Sequence, residues 1–172
     1  QLDKCYLLLG KAYFYKKKYT MANNTFRFIQ RQYAEDEALM TEVSIWLFRS
    51  LTEMGRYEEA ARIMDRLDGS TLKRKQREMV AAARTDFYVR QGMYEQAIPE
   101  AERLVRTCKS IKRKPRYNFL LSQLYVKENQ DGAAKLALKK ATRFNFNYEM
   151  VFNARIGMAS AYQEGDAAVA VS

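Results

Sequence analysis

Histidine is missing from the 172 residues, and cysteine and proline occur only twice each. Without histidine, neither a Ser-His-Asp nor a Cys-His arrangement can be built, and the His-containing zinc spacings are excluded with it. Cys5 and Cys108 are far apart in sequence. In a stack of helices about 8–10 Å apart they could not reach the Cα separation below about 7 Å that a disulfide needs, so two free, half-buried thiols are expected. Seven glycines, two prolines and no Ser/Gly-rich linker give no internal boundary, and residues 1–172 read as one domain. No apolar run approaches the roughly 20 residues of a membrane-spanning helix, and the start lacks the pattern of a secretory signal. The chain opens at Gln1 within a few residues of a helix. An excised fragment is therefore expected, with any targeting signal lying upstream.

Helix formers fill the space these absences leave. Leucine, alanine, lysine, arginine and glutamate dominate, and the fold class is read as all-α. Lysine plus arginine number 30 against 20 aspartate plus glutamate, a net charge of +10. Such a balance attracts acidic partners, nucleic acid or an anionic surface. The basic residues nevertheless fall in separate clusters (Lys16 to Lys18, Lys73 to Arg77, Lys109 to Arg116, Lys135 to Arg143), mostly near helix ends where solvated cations are ordinary.

One phrase occurs twice, Gly55-Arg56-Tyr57-Glu58-Glu59-Ala60 and Gly92-Met93-Tyr94-Glu95-Gln96-Ala97. Glycine closes a helix in the left-handed conformation, and the tyrosine two places on opens an amphipathic run with glutamate in its first turn. Each copy is the bend of a helical hairpin. The copies lie 37 residues apart, and the same step leads to Asn129 at the glycine place and Ala134 at the alanine place. Self-similarity at this period marks a helical-repeat chain. The expected repeats are about 2–34, 36–69, 71–109 and 112–146, followed by a terminal helix at about 148–165 that is either a cap or half of a further repeat.

Apolar stripes support this frame. Positions 6, 9 and 13 then 22, 26 and 29 mark the first hairpin; Val43, Trp46, Leu47 and Leu51 then Ala60 and Met64 mark the second. Met79, Ala83 and Phe87 then Ala97, Ala101 and Leu104 mark the third, and Leu121 and Leu124 then Ala134, Leu138 and Ala141 the fourth. Pro99 falls inside a helix and removes one backbone donor, whereas Pro115 sits in a first turn, where proline is tolerated.

Tyr6, Leu9, Gly10, Tyr13, Ala22, Phe26 and Ile29 resemble the tetratricopeptide repeat, with Ala34 where that motif has proline. The second unit departs from the motif at Leu47-Phe48, and the period of 37 to 38 would also suit Sel1-like repeats. The resemblance implies a right-handed solenoid of about four hairpins that binds through the concave face lined by its first helices. On that face the candidate partner-binding residues are Lys4, Lys11, Tyr15, Arg49, Asp86, Arg90, Arg116, Gln123, Lys127 and Arg155, with Glu42 and Glu53 interspersed. Arginine, tyrosine and acids together suit a peptide or protein better than bare phosphate backbone. The lysine and asparagine pattern by which some members hold a C-terminal carboxylate is absent. The carboxylate pairs Glu35/Glu37, Glu58/Glu59 and Glu100/Glu102 do not share a helix face, so no acid/base pair, and no enzyme, is expected. No metal or cofactor is expected either.

Two segments, 7–16 (LLLGKAYFYK) and 148–156 (YEMVFNARI), are similar to the PorW/SprE lipoproteins of the type IX secretion and gliding apparatus. This resemblance implies a periplasmic protein, anchored to the outer membrane by a lipid upstream of Gln1, that links the translocon to the ring or motor subunits. The alternative reading is a basic helical-repeat protein that binds nucleic acid.

Overall fold

The structure, a computed structural model, describes residues 2–67 and 72–143. Among them are eight helices and no strand: α1 (Leu2–Tyr15), α2 (Tyr19–Gln32), α3 (Glu37–Glu53), α4 (Tyr57–Met64), α5 (Arg74–Arg90), α6 (Tyr94–Thr107), α7 (Lys114–Lys127) and α8 (Asp131–Thr142). The all-α, helical-hairpin expectation holds. The expected terminal helix at about 148–165 and the end of the fourth repeat lie outside the described residues.

The bends repeat one backbone geometry. Lys17, Gly55, Gly92 and Asn129 have φ of 58°, 70°, 70° and 55°, and they follow one another at steps of 38, 37 and 37 residues. The following residues, Lys18, Arg56, Met93 and Gln130, all take φ between −98° and −85° with ψ between 62° and 66°, and each serves as the N-cap of the second helix. At three of these bends the helix closes by paired hydrogen bonds across the left-handed residue: Lys18 N–H to Tyr13 O (2.9 Å), Arg56 N–H to Leu51 O (2.9 Å) and Gln130 N–H to Tyr125 O (2.8 Å). This is the motif by which orphan carbonyls at a helix end find donors. None of the N-cap side chains caps. Instead, each N-cap carbonyl accepts the amide of the alanine four residues on: Ala22, Ala60, Ala97 and Ala134, at 2.9–3.0 Å. All four alanines are buried. A methyl group is what a second helix can carry one turn after so tight a reversal.

The chain divides into two compact units, Gln1–Arg90 and Gln91–Ser172. In the first, α3 is the central helix and packs against α1, α2, α4 and α5. It is accordingly apolar nearly all round, with Val43, Ile45, Trp46, Leu47, Phe48 and Leu51 buried. Asp36 opens it by accepting the Leu39 amide at 2.9 Å. One cluster joins Leu7, Phe14, Ala22, Phe26, Ile29, Val43, Trp46 and Leu47. A second joins Phe48, Leu51, Ala60, Ala83 and Phe87, and a third Ile45, Leu67, Leu72 and Val80. Gly10 lets α1 approach α2 closely: a Cβ there would lie 2.8 and 2.9 Å from two carbons of the Phe26 ring. One repeat on, the same place holds Phe48, and the residue facing its hairpin partner is Met64 in place of Phe26.

In the second unit α6 packs on α7 and α7 on α8. Ala97, Ala101 and Leu104 are buried on α6, Leu121 and Leu124 on α7, and Ala134, Leu138 and Ala141 on α8. Pro115 sits in the first turn of α7, and α6 continues through Pro99 to Thr107.

Two expectations change. Cys5 is exposed and Cys108 fully buried, so neither thiol is half-buried. Leu9 lies outside the core: α1 buries Leu7, Gly10 and Phe14 and leaves Leu9 42% exposed. Residues 7–9 are three consecutive leucines, which carry no period to say which of them turns inward.

Candidate interaction face

By sequence register the candidate residues fall in rows of equivalent positions. One row runs Lys11, Arg49, Asp86, Gln123; another Tyr15, Glu53, Arg90, Lys127; a third holds Lys4, Glu42 and Arg116 with Met79 between them. Arg155 lies outside the described residues.

In the first unit these rows are laced together. Lys11 Nζ on α1 meets Glu42 Oε1 on α3 at 2.6 Å and stands 5.4 Å above the Trp46 ring. Arg90 on α5 donates to Glu53 of α3 and to Asp86 of its own helix, both at 2.9 Å. Burial alone would lower the Arg90 pKa, but the hydrogen bond to Asp86 and the charges of Asp86 and Glu53 outweigh it and raise it. Tyr19, at the start of α2, has its hydroxyl pKa raised first by burial and then by the Glu53 carboxylate, with Arg90 opposing. These contacts tie α1 to α3 and α3 to α5. Lys11, Asp86 and Arg90 therefore already act inside the fold.

Arg49 differs. Its guanidinium carbon stands over two aromatic rings, 4.3 Å from the Trp46 centroid and 4.6 Å from that of Phe14. These cation–π contacts hold the guanidinium in place, and Arg49 makes no ion pair among the described residues. Beside it Tyr15, 70% exposed, packs edge-on against Trp46 at 5.7 Å. Trp46 is the residue that sequence reasoning missed as part of this face. It reads as core and is buried, yet it forms the platform under both Lys11 and Arg49. The coincidence that could have found it is Trp46 lying one turn before Arg49.

In the second unit Arg116, Gln123 and Lys127 are exposed on α7. Lys127 Nζ stands 5.9 Å from the Tyr94 ring centroid. Tyr125 donates its hydroxyl to Glu102 Oε1 at 2.5 Å, and burial together with that carboxylate pushes its pKa up to about 12. Lys4, on α1, is exposed. Among the described residues no group of three potential metal ligands comes together, and no helix is long and apolar enough to cross a membrane.

No curated protein matches the chain. Residues 115–148, comprising α7, α8 and the residues after them, match the tetratricopeptide repeat family. The matched segment holds the Asn129 bend, whose geometry the other three bends share. Together the match and the recurring register support a tetratricopeptide-repeat protein.

Proposed function

We propose that the chain is a non-enzymatic scaffold that binds protein partners through the first-helix face. Tetratricopeptide repeats generally mediate protein–protein interaction, and all-helical folds of this kind typically carry no catalytic function. The observation that carries the reading is Arg49, a guanidinium held over the Trp46 and Phe14 rings beside an exposed tyrosine. Preorganised arginine and tyrosine are the residue types that dominate binding energy at protein interfaces. They suit a partner offering carboxylates or hydrogen-bond acceptors from a peptide or protein surface.

The finer reading assigns the scaffold to the type IX secretion apparatus, where it would link the outer-membrane translocon to periplasmic ring or motor subunits, held to the membrane by a lipid anchor outside this segment. The similarity of segments 7–16 and 148–156 to the PorW/SprE lipoproteins is its support. Affinity purification of the intact protein from cell envelopes tests it. Recovery of translocon and ring subunits in salt-resistant amounts is the expected result, and their absence from an otherwise efficient purification overturns the assignment.

The net charge of +10 favours a second reading, a nucleic-acid-binding helical repeat. It requires affinity for labelled RNA or DNA that falls steeply with salt. The scaffold reading expects no shift of either probe at micromolar protein and low salt.

A further inference from the structure

The basic clusters at Lys109 to Arg116 and Lys135 to Arg143 are separate in sequence, and the second unit folds them together. Helix α7 packs on α6 before it and on α8 after it, and a bend of residues 128–130 turns the chain from α7 into α8. The last turns of α6 and α8 therefore lie at the same end of this unit as the first turn of α7. That end collects Arg106, Lys109, Lys112 and Lys114 with Lys139 and Lys140. All six are exposed, and none enters an ion pair among the described residues. No carboxylate occurs in residues 103–116 or 132–143, whereas the opposite end of the unit carries Glu95, Glu128 and Asp131.

Cations in the last turns of α6 and α8 suit the helix dipole, but Lys112 and Lys114 stand at the start of α7, where the dipole disfavours positive charge. This helix has no acidic residue in its first turn and no side chain capping it. A local rule broken without compensation inside the fold points to a use outside it. Between Lys109 and Lys112 stands Ile111, 63% exposed. Cys108 before it and Pro115 after it are buried, and the turn is closed by the Lys114 amide on Ser110 O (2.9 Å) and the Arg113 amide on Ser110 Oγ (3.3 Å). The connection is thus pinned at both sides and holds an isoleucine out among lysines.

We infer that this end of the second unit docks on an anionic lipid bilayer, with the lysines at the headgroup phosphates and Ile111 entering the boundary beneath them. Cations around an exposed aliphatic side chain are the combination that interfacial membrane binding uses. A nucleic-acid backbone would engage the lysines but has nothing to receive an isoleucine, and residues 108–113 offer no aromatic ring for a base to stack on. The inference uses neither Arg49 nor Arg116 and stands whether or not the first-helix face binds a partner.

Co-sedimentation of the full chain with vesicles of phosphatidylcholine alone, or of phosphatidylcholine and phosphatidylglycerol in equal parts, tests it. Partitioning onto the anionic vesicles is expected to exceed that onto the neutral ones at least about ten-fold at low salt and to fall as salt rises. Lys109→Gln, Lys112→Gln and Lys114→Gln together lower it at least about ten-fold. The same charge removed from the start of α5, as Lys73→Gln, Arg74→Gln and Lys75→Gln, lowers it less than about three-fold, because residues 72–77 include no exposed apolar side chain. Ile111→Gln keeps the net charge and lowers it at least about three-fold. All seven positions are exposed, so melting temperature and helicity stay unchanged and are measured alongside. Equal partitioning onto both kinds of vesicle overturns the inference. Equal losses from the two triple variants, or wild-type partitioning by Ile111→Gln, also overturn it, since net charge alone would then suffice. A shift of labelled RNA that needs the same three lysines, without binding to vesicles, overturns it in favour of nucleic acid.

Discussion

Lysine is a poor residue for a φ of 58°, where its Cβ crowds the following carbonyl at a cost of roughly 1–2 kcal/mol. Lys17 holds that conformation because its amide and that of Lys18 close α1 on Phe14 and Tyr13. Lys17→Gly is expected to stabilise the protein by up to about 1 kcal/mol in urea denaturation. Gly55→Ala, where φ is 70° and the added methyl meets no neighbour, should destabilise it by about 1–2 kcal/mol from backbone strain alone. The sequence makes Gly55 and Gly92 legible as bends because glycine advertises the left-handed region; Asn129 is readable only by counting from them, and Lys17 is hidden within three lysines. Tyr125 offers a pH test. Its folded pKa stands above the ordinary value of 10, at about 12, so the stabilisation it brings is intact below about pH 10 and is lost as pH rises through 12. Absorbance at the tyrosinate band should show a group titrating near pH 12 in the wild type that is missing in Tyr125→Phe.

Elements are fixed by what their faces meet. The close approach of α1 to α2 at Gly10 predicts that Gly10→Ala, despite a helix-propensity gain of about 1 kcal/mol, drives the Phe26 ring out of place and destabilises the first unit by about 1–2 kcal/mol net. Pairing Gly10→Ala with Phe26→Leu should recover part of that loss, and a thermal melt of the double variant no better than the single one would argue against the contact. The inward Val43, Trp46, Leu47 and Leu51 of α3 and the inward alanines and leucines of α6 to α8 were legible because their apolar positions repeat at helical spacing and a buried alanine marks each second helix, whereas Ile45 and Phe48, equally buried, fall outside that stripe. The inward side of α1 was not, since a helix apolar on two faces gives no direction until its neighbours are known. The pairing of Lys11 with Glu42 and of Glu53 with Arg90 was likewise beyond sequence, because it depends on which first helices lie side by side.

For the whole molecule, the structure sorts the candidate cations into two kinds. Lys11 and Arg90 neutralise carboxylates within the first unit, so altering them perturbs the fold as well as any binding. Arg49 in the first unit and Arg116 in the second make no ion pair among the described residues and are the cations proposed to meet a partner. Dissociation constants for a partner recovered by affinity purification, measured by biolayer interferometry with circular dichroism as the control for folding, test the interaction face most directly. For Arg49→Glu with Arg116→Glu at unchanged helicity and melting temperature, the account predicts binding weakened at least about ten-fold, equivalent to about 1.4 kcal/mol. Binding unchanged by both reversals would contradict it.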